Sequence, residues 1–98
     1  MIIIRDVFQL RFGEAKEAIP LLEQGVAALK EAGYPVERIL ADVTGEYYTL
    51  VMESRVESLS QYEQAEASIR DVDAWQQAYR RFVPLVRAGR REVFREVG

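Results

Sequence analysis

Ile2-Ile3-Ile4-Arg5-Asp6-Val7-Phe8-Gln9-Leu10-Arg11-Phe12 alternates with a period of two. Its even positions are apolar apart from Asp6, and its odd positions set Ile3 and Val7 among Arg5, Gln9 and Arg11. Successive side chains of a strand point to opposite faces, so the pattern predicts a strand with one face in a core and the other half apolar. Gly13 ends it. From Glu14 to Ala32 the spacing changes to steps of three and four, with Ala15, Ala18, Ile19, Leu22, Val26 and Leu29 on one stripe of a helix. Pro20 is expected to kink that helix or to lie near its first turn. Gly33 and Pro35 stop it.

Further along the chain, Arg38–Val43 and Tyr47–Arg55 read as two strands joined at Thr44-Gly45-Glu46, a β-hairpin. Ser58-Leu59-Ser60-Gln61 and Asp73-Ala74-Trp75-Gln76 both have the form of a capping box, which predicts two helices with a break near Arg70–Asp73. The second helix carries Trp75, Tyr79, Phe82 and Val86 on one side, is expected to bend at Pro84 and ends at Gly89. Arg91–Val97 is the closing strand. The order strand, helix, strand, strand, helix pair, strand predicts an α+β, ferredoxin-like βαββαβ domain over residues 1–98. Its four-stranded antiparallel sheet carries all helices on one face. The other face, with Ile3, Val7, Tyr47 and Val51 among Arg5, Gln9, Thr49 and Glu53, is too apolar to leave wet. A second copy packed face to face would cover it, giving a homodimeric α/β-barrel.

The chain has 98 residues, 49% hydrophobic and 30% charged, which is the size and balance of one globular domain. It contains no Cys, no His and no Asn. Disulfides, thiolate chemistry, imidazole bases, histidine-ligated haem and the usual zinc sites are therefore excluded. No metal and no cofactor are expected. No apolar run reaches the ~18 residues of a membrane span, and the first residues lack the form of a signal peptide, so a cytoplasmic protein without membrane partners is expected. Lys16 and Lys30 are the only lysines beside eleven arginines, a bias expected of a GC-rich bacterial genome. Six of the arginines fall in residues 79–98, against two glutamates, in a chain of net charge −3.

Leu10-Arg11-Phe12-Gly13, the hairpin Gly45-Glu46-Tyr47-Tyr48-Thr49-Leu50-Val51, the helix start Leu59-Ser60-Gln61-Tyr62-Glu63, Asp73-Ala74-Trp75 and the strand after Gly89-Arg90-Arg91 together resemble the dimeric α/β-barrel superfamily, and within it the NIPSNAP-like group. The pieces span nearly the whole chain; where that group usually has Pro before the first glycine, this chain has Phe12. The resemblance implies dimers whose sheets close into a barrel, often with a ligand cavity between sheet and helices. Functions in the superfamily range from cofactor-free monooxygenases through haem degraders to small-ligand lyases. The monooxygenases resemble one another in an Asn–Trp–Arg site, and the haem degraders add a His. This chain has Trp75 and arginines but neither Asn nor His, so neither site carries over.

Candidate site residues follow from the pattern. Tyr48, Tyr62, Trp75 and Tyr79 are candidates for an aromatic pocket that takes a small planar ligand; the alternative is plain core packing. Asp6 stands among Ile4, Phe8 and Leu10 on the face that should meet the helices. A buried carboxylate there must be protonated, paired with an arginine or hydroxyl, or open to a wet cavity. Tyr47 and Tyr48 after Gly45 echo the third strand of an RNA-recognition motif. The basic residue before that glycine is missing and the overall charge is acidic, so no nucleic-acid partner is expected. Three readings stand: a homodimer with a small-ligand pocket, a self-associating structural module, and a cofactor-free monooxygenase-like enzyme.

Overall fold

The computed structural model describes residues 1–98. Its elements are β1 (Ile2–Leu10), α1 (Ala15–Glu31), β2 (Val36–Ala41), β3 (Thr49–Val56), α2 (Leu59–Ser68), α3 (Asp73–Phe82), a single 3-10 turn (Val83–Leu85) and β4 (Val86–Arg95). The strands form one antiparallel sheet in the order β2-β3-β1-β4, which is the α+β ferredoxin-like topology that the element order predicts. No helix is long and apolar enough to cross a membrane.

The alternation in β1 sorts the sheet into two faces. Ile4, Leu10, Leu50, Met52 and Val56 lie on the helix side and are all buried. Leu10, Leu50 and Met52 meet Ala18, Leu22, Val26 and Leu29 of α1 and Phe82 of α3 in the main core, while Ile4 and Val56 form a smaller cluster with Ile2, against which Tyr62 packs. α1 ends as its glycine requires. Gly33 takes φ +91°, its N–H bonds the Lys30 carbonyl at 3.0 Å, and the Tyr34 N–H bonds the Leu29 carbonyl at 2.9 Å. This Schellman arrangement needs the left-handed conformation that only glycine adopts without cost. Pro20 falls in the second turn of α1, where the helix continues through it although proline offers no N–H to the Lys16 carbonyl.

Several boundaries differ from the sequence reading; β2 runs Val36–Ala41 rather than over residues 38–43. β3 begins at Thr49, because residues 42–48 form a longer connection held by the Asp42 side chain, which accepts from the Thr49 N–H at 2.9 Å. Tyr48 lies in that connection at φ +59°, outside the strand. Ser58 caps α2 as expected, accepting from the Gln61 N–H at 3.1 Å. The Gln61 side chain, however, accepts from the Glu57 N–H rather than that of Ser58. The second capping box does not form. Val72 is the capping residue of α3 and makes no side-chain cap, while Gln76 reaches back to the Arg70 carbonyl. Finally, Pro84 ends α3 instead of bending it, and β4 starts at Val86, five residues before Arg91. Gly89 is no helix stop but sits in the strand opposite Phe8. The stretch Arg87-Ala88-Gly89-Arg90 has no alternation of its own. It is strand because β1 offers its backbone a ladder, with a bulge at Arg87 where Gln9 faces Ala88 and Leu10 faces Val86.

Gly25 shows how closely α1 and α3 approach. A Cβ built there would lie 2.8 Å from Cε3 and 2.9 Å from Cζ3 of the Trp75 ring. Trp75 is therefore half-buried against α1, packed on Tyr79 at 5.0 Å between ring centroids. Ala is the better helix former by ~1 kcal/mol, but a rigid indole cannot yield as a flexible chain would. Gly25→Ala is expected to destabilise the fold by ~1–2 kcal/mol, within the usual cost of overpacking. The emission of the single tryptophan should shift as its ring is displaced. A variant as stable as the parent, with unchanged emission, would place Trp75 elsewhere.

The candidate site between sheet and helices

β1 places Asp6 on the helix side of the sheet, directly opposite Arg91 of β4. Cross-strand partners share a face, so the two side chains meet: Arg91 Nε donates to Asp6 Oδ1 at 2.6 Å. Arg91 also donates to the Tyr62 hydroxyl at 2.5 Å and stands 3.4 Å from Glu66, both on α2. Glu66 in turn accepts from the Tyr34 hydroxyl at 3.2 Å. One arginine thus ties the sheet edge to α2 through a line of polar groups laid over an apolar core. Asp6 is 5% exposed, and its second oxygen, Oδ2, is buried with no protein donor in reach.

Electrostatics follow from this burial. Desolvation raises the Asp6 pKa above its ordinary value; the hydrogen bond and the charge of Arg91 pull it down but do not win. Burial alone would weaken the Arg91 cation, yet the Asp6 bond and charge, with Tyr62 and Glu66, hold it more firmly protonated than usual. Burial and the neighbouring Glu66 push the Tyr62 hydroxyl up to about 12, and burial with Glu66 raises Tyr34 as well.

Two cavities meet at the Asp6–Arg91 pair, and both also share Phe8 and Tyr79. The larger, about 460 Å³, lies between α3 and β4, with Phe82, Val83 and Val86 on its apolar side, Arg91 and Asp6 on its polar side, and residues 87–90 of β4 along its wall. The smaller, about 230 Å³, runs under α2 and α3 past Tyr34, Glu66 and Trp75. Of the residues singled out in the sequence, Asp6, Trp75 and Tyr79 line these cavities, and Tyr62 borders them through Arg91. Tyr48 does not. It packs at the end of β1 with Phe12, at 5.1 Å between ring centroids, because the positive φ turns it out of the strand that would have aligned it with Leu50 and Met52. Arg91, Tyr34 and Glu66 were missed. Arg91 could have been found had β4 been started at Val86, since strand pairing then sets it against Asp6. No group of three or more carboxylate side chains stands where it could hold a metal ion.

On the opposite face, Glu53 is 4% exposed and takes hydrogen bonds from Arg5 Nε at 2.9 Å and Arg38 Nε at 2.8 Å. Burial would raise its pKa, but the two guanidiniums outweigh it and hold the carboxyl below its ordinary range. Arg55 pairs with Glu96 and Arg90 with Glu92 on the same side.

An antiparallel four-stranded sheet with its helices on one side and a cavity between defines a ferredoxin-like α+β domain. Its backbone is similar to that of NIPSNAP family proteins. One such protein, from Agrobacterium tumefaciens str. C58, superposes with a TM-score of 0.88 over 98% of this chain and 92% of its own, at 15% sequence identity. An uncharacterized NIPSNAP domain protein from Burkholderia xenovorans gives 0.88 over 99% and 95%, at 12% identity. An antibiotic biosynthesis monooxygenase is also similar, with a TM-score of 0.71 over the whole of both chains at 9% identity. At these identities the likeness is one of fold. No family model matches the sequence, and no curated protein matches it.

Proposed function

We propose that the chain works as a homodimer that binds a small planar ligand in the cavity between α3 and β4. The observation that carries this reading is the buried Asp6 carboxylate, with one oxygen unpaired, on the wall of a cavity of about 460 Å³ that is apolar along one side. That volume falls within the ~300–1,000 Å³ usual for small-molecule sites. A buried polar atom without a partner is a cost that folding alone does not require. Phe8, Tyr79 and Phe82 supply ring faces and edges for a flat ligand. The open sheet face supports the dimer. Its arginines are paired on the same face, Arg5 and Arg38 sharing Glu53, Arg55 with Glu96 and Arg90 with Glu92, and between them Leu40 and Phe94 stay exposed beside Ile3, Val7 and Val51. A twofold copy can cover such a surface without stranding charge.

A catalytic variant of the reading is cofactor-free oxygenation. Its support is the raised pKa of Asp6, which suits a general base, in a fold shared with an antibiotic biosynthesis monooxygenase. If the open face served self-association alone, the cavity would bind nothing.

Two measurements separate these. Sedimentation should give the dimer mass at micromolar concentration, and Val51→Lys, which puts a charge in the middle of the open face, should give monomer or a clearly weakened dimer. Monomer from the parent chain, or an unaffected variant, would mean the wrong face. A thermal-shift screen of aromatic small molecules should find compounds that raise the melting temperature, by ~2.7 kcal/mol of stabilisation at a hundredfold excess over Kd. A screen with no such compound would leave the structural-module reading.

A further inference from the structure

We infer that the ligand held between α3 and β4 is an uncharged aromatic carbonyl compound, a ketone rather than a carboxylate, whose oxygen is received by Arg91; this rests on the small-ligand reading above. Strand register sets Arg91 on the helix side, opposite Asp6, whereas Arg90 pairs with Glu92 on the open face at 3.0 Å. Arg87, in the bulge of β4, is paired with Glu46, which lines a hollow of the open face with Gln9 and Thr49. Arg91 is thus the cation left to the cavities. It lies in the wall of both, with half of its side chain exposed.

Two of its three guanidinium nitrogens are committed. Nε donates to Asp6 Oδ1, and Nη1 donates to the Tyr62 hydroxyl and stands 3.4 Å from Glu66. Nη2 donates to no group of the protein. A planar guanidinium held at two corners presents the third in a fixed direction, and that corner can only donate. The ligand atom it meets must therefore be an acceptor. Asp6 acts on the ligand only through Arg91, since its Oδ1 is taken and its Oδ2 is shut in.

Charge decides between a neutral and an ionised acceptor. The acids facing Arg91 in the two cavities are Asp6 and Glu66. If Asp6 keeps its proton, Arg91 and Glu66 cancel; if it is ionised, one negative charge is in excess. Neither case leaves a positive charge for a ligand carboxylate, which would also have to shed its water on entering. A carbonyl oxygen avoids both costs and still takes a charge-assisted hydrogen bond. The ring of such a compound lies along Phe8, Tyr79 and Phe82. Phe8 and Phe82 already meet edge to face at 5.0 Å, the arrangement in which a further ring packs well.

Isothermal titration of the full chain with 2-acetylnaphthalene, 2-naphthoate and 2-ethylnaphthalene tests this, because the three share a ring and nearly a shape but differ in the acceptor. The ketone should bind about tenfold or more tightly than the hydrocarbon, the worth of a hydrogen bond to a charged group. It should also bind clearly more tightly than the carboxylate. Arg91→Met should erase its advantage over the hydrocarbon. If that variant does not fold, the carbonyl carbon-13 resonance of the labelled ketone on the parent chain decides: it should lie downfield of its position in an apolar solvent. The inference is overturned by a carboxylate that binds as well as the ketone, by no advantage over the hydrocarbon, by an advantage that survives Arg91→Met, or by a bound resonance at the apolar position. Each of these leaves the cavity a ligand site. If none of the three compounds binds, the inference falls, and a barren thermal-shift screen then takes the small-ligand reading with it.

Discussion

Phe82→Ala is expected to lower the stability of the folded chain by ~3–5 kcal/mol, the usual cost of truncating a fully buried aromatic side chain. Phe82 is 1% exposed and the largest side chain wholly enclosed by the fold. It closes the end of α3 just before the proline turn, touches Phe8 of β1 edge to face, and walls the larger cavity. Alanine would leave a hole continuous with that cavity, which the rigid sheet on one side and α1 on the other cannot collapse to fill. Against a typical total of ~5–15 kcal/mol, this is about a fifth or more of a domain's stability. Urea unfolding would show it as a lower midpoint at unchanged slope. A loss below ~1 kcal/mol would mean that Phe82 is not the core residue its burial makes it.

The second large effect is expected at Arg91. Arg91→Met keeps much of the aliphatic stem but removes the cation, and Asp6 loses its one hydrogen-bond donor among the side chains. Breaking a pair whose acid is buried should cost ~3 kcal/mol at neutral pH. The cost should depend on pH in a definite direction. The Asp6 pKa already lies above 3.8 in the fold, and removing Arg91 takes away both influences that hold it down. Between the unfolded value and the higher folded one, the native state keeps a proton that the unfolded chain has lost. Stability therefore falls as pH rises through that window, by up to ~1.4 kcal/mol per pH unit, and is recovered in acid. Glu53 works with the opposite sign, since its lowered pKa stabilises the fold above its ordinary range and that support is lost in acid. The contribution of Asp6 is isolated by comparing Arg91→Met with the double variant Asp6→Asn/Arg91→Met, in which it should vanish. Equal pH profiles for the two would show that Asp6 does not titrate in the fold.

Much of this architecture was legible in the sequence because it is written in local periodicity. The alternation of β1, the apolar stripe of α1 with its glycine stop, and the serine cap of α2 each fix an element without help from the rest of the chain. What could not be read depends on partners distant in sequence. Residues 87–90 have no pattern that marks a strand; they become one because β1 needs a neighbour on that edge. Gly89 therefore resembled a helix stop, and Arg91 stood as the first residue of a strand that in fact begins at Val86. The site was half legible for the same reason. Asp6 was conspicuous as a charge on an apolar face, whereas its partner, eighty-five residues away, is identified only by strand register. Tyr48 failed for a local reason: a left-handed residue at the end of the connection breaks the alternation that seemed to extend through it.

The central claim is that the space between α3 and β4 is a ligand site. Amide chemical-shift mapping of the isotopically labelled protein against a library of small aromatic compounds tests it most directly. The expected result is a set of compounds whose saturable shifts cluster at Phe8, Tyr79, Phe82, Gly89 and Arg91, and which lose their effect in Arg91→Met. The claim is contradicted if no compound moves those amides, or if the compounds that bind gather instead at the exposed Phe12, Val43 and Tyr47.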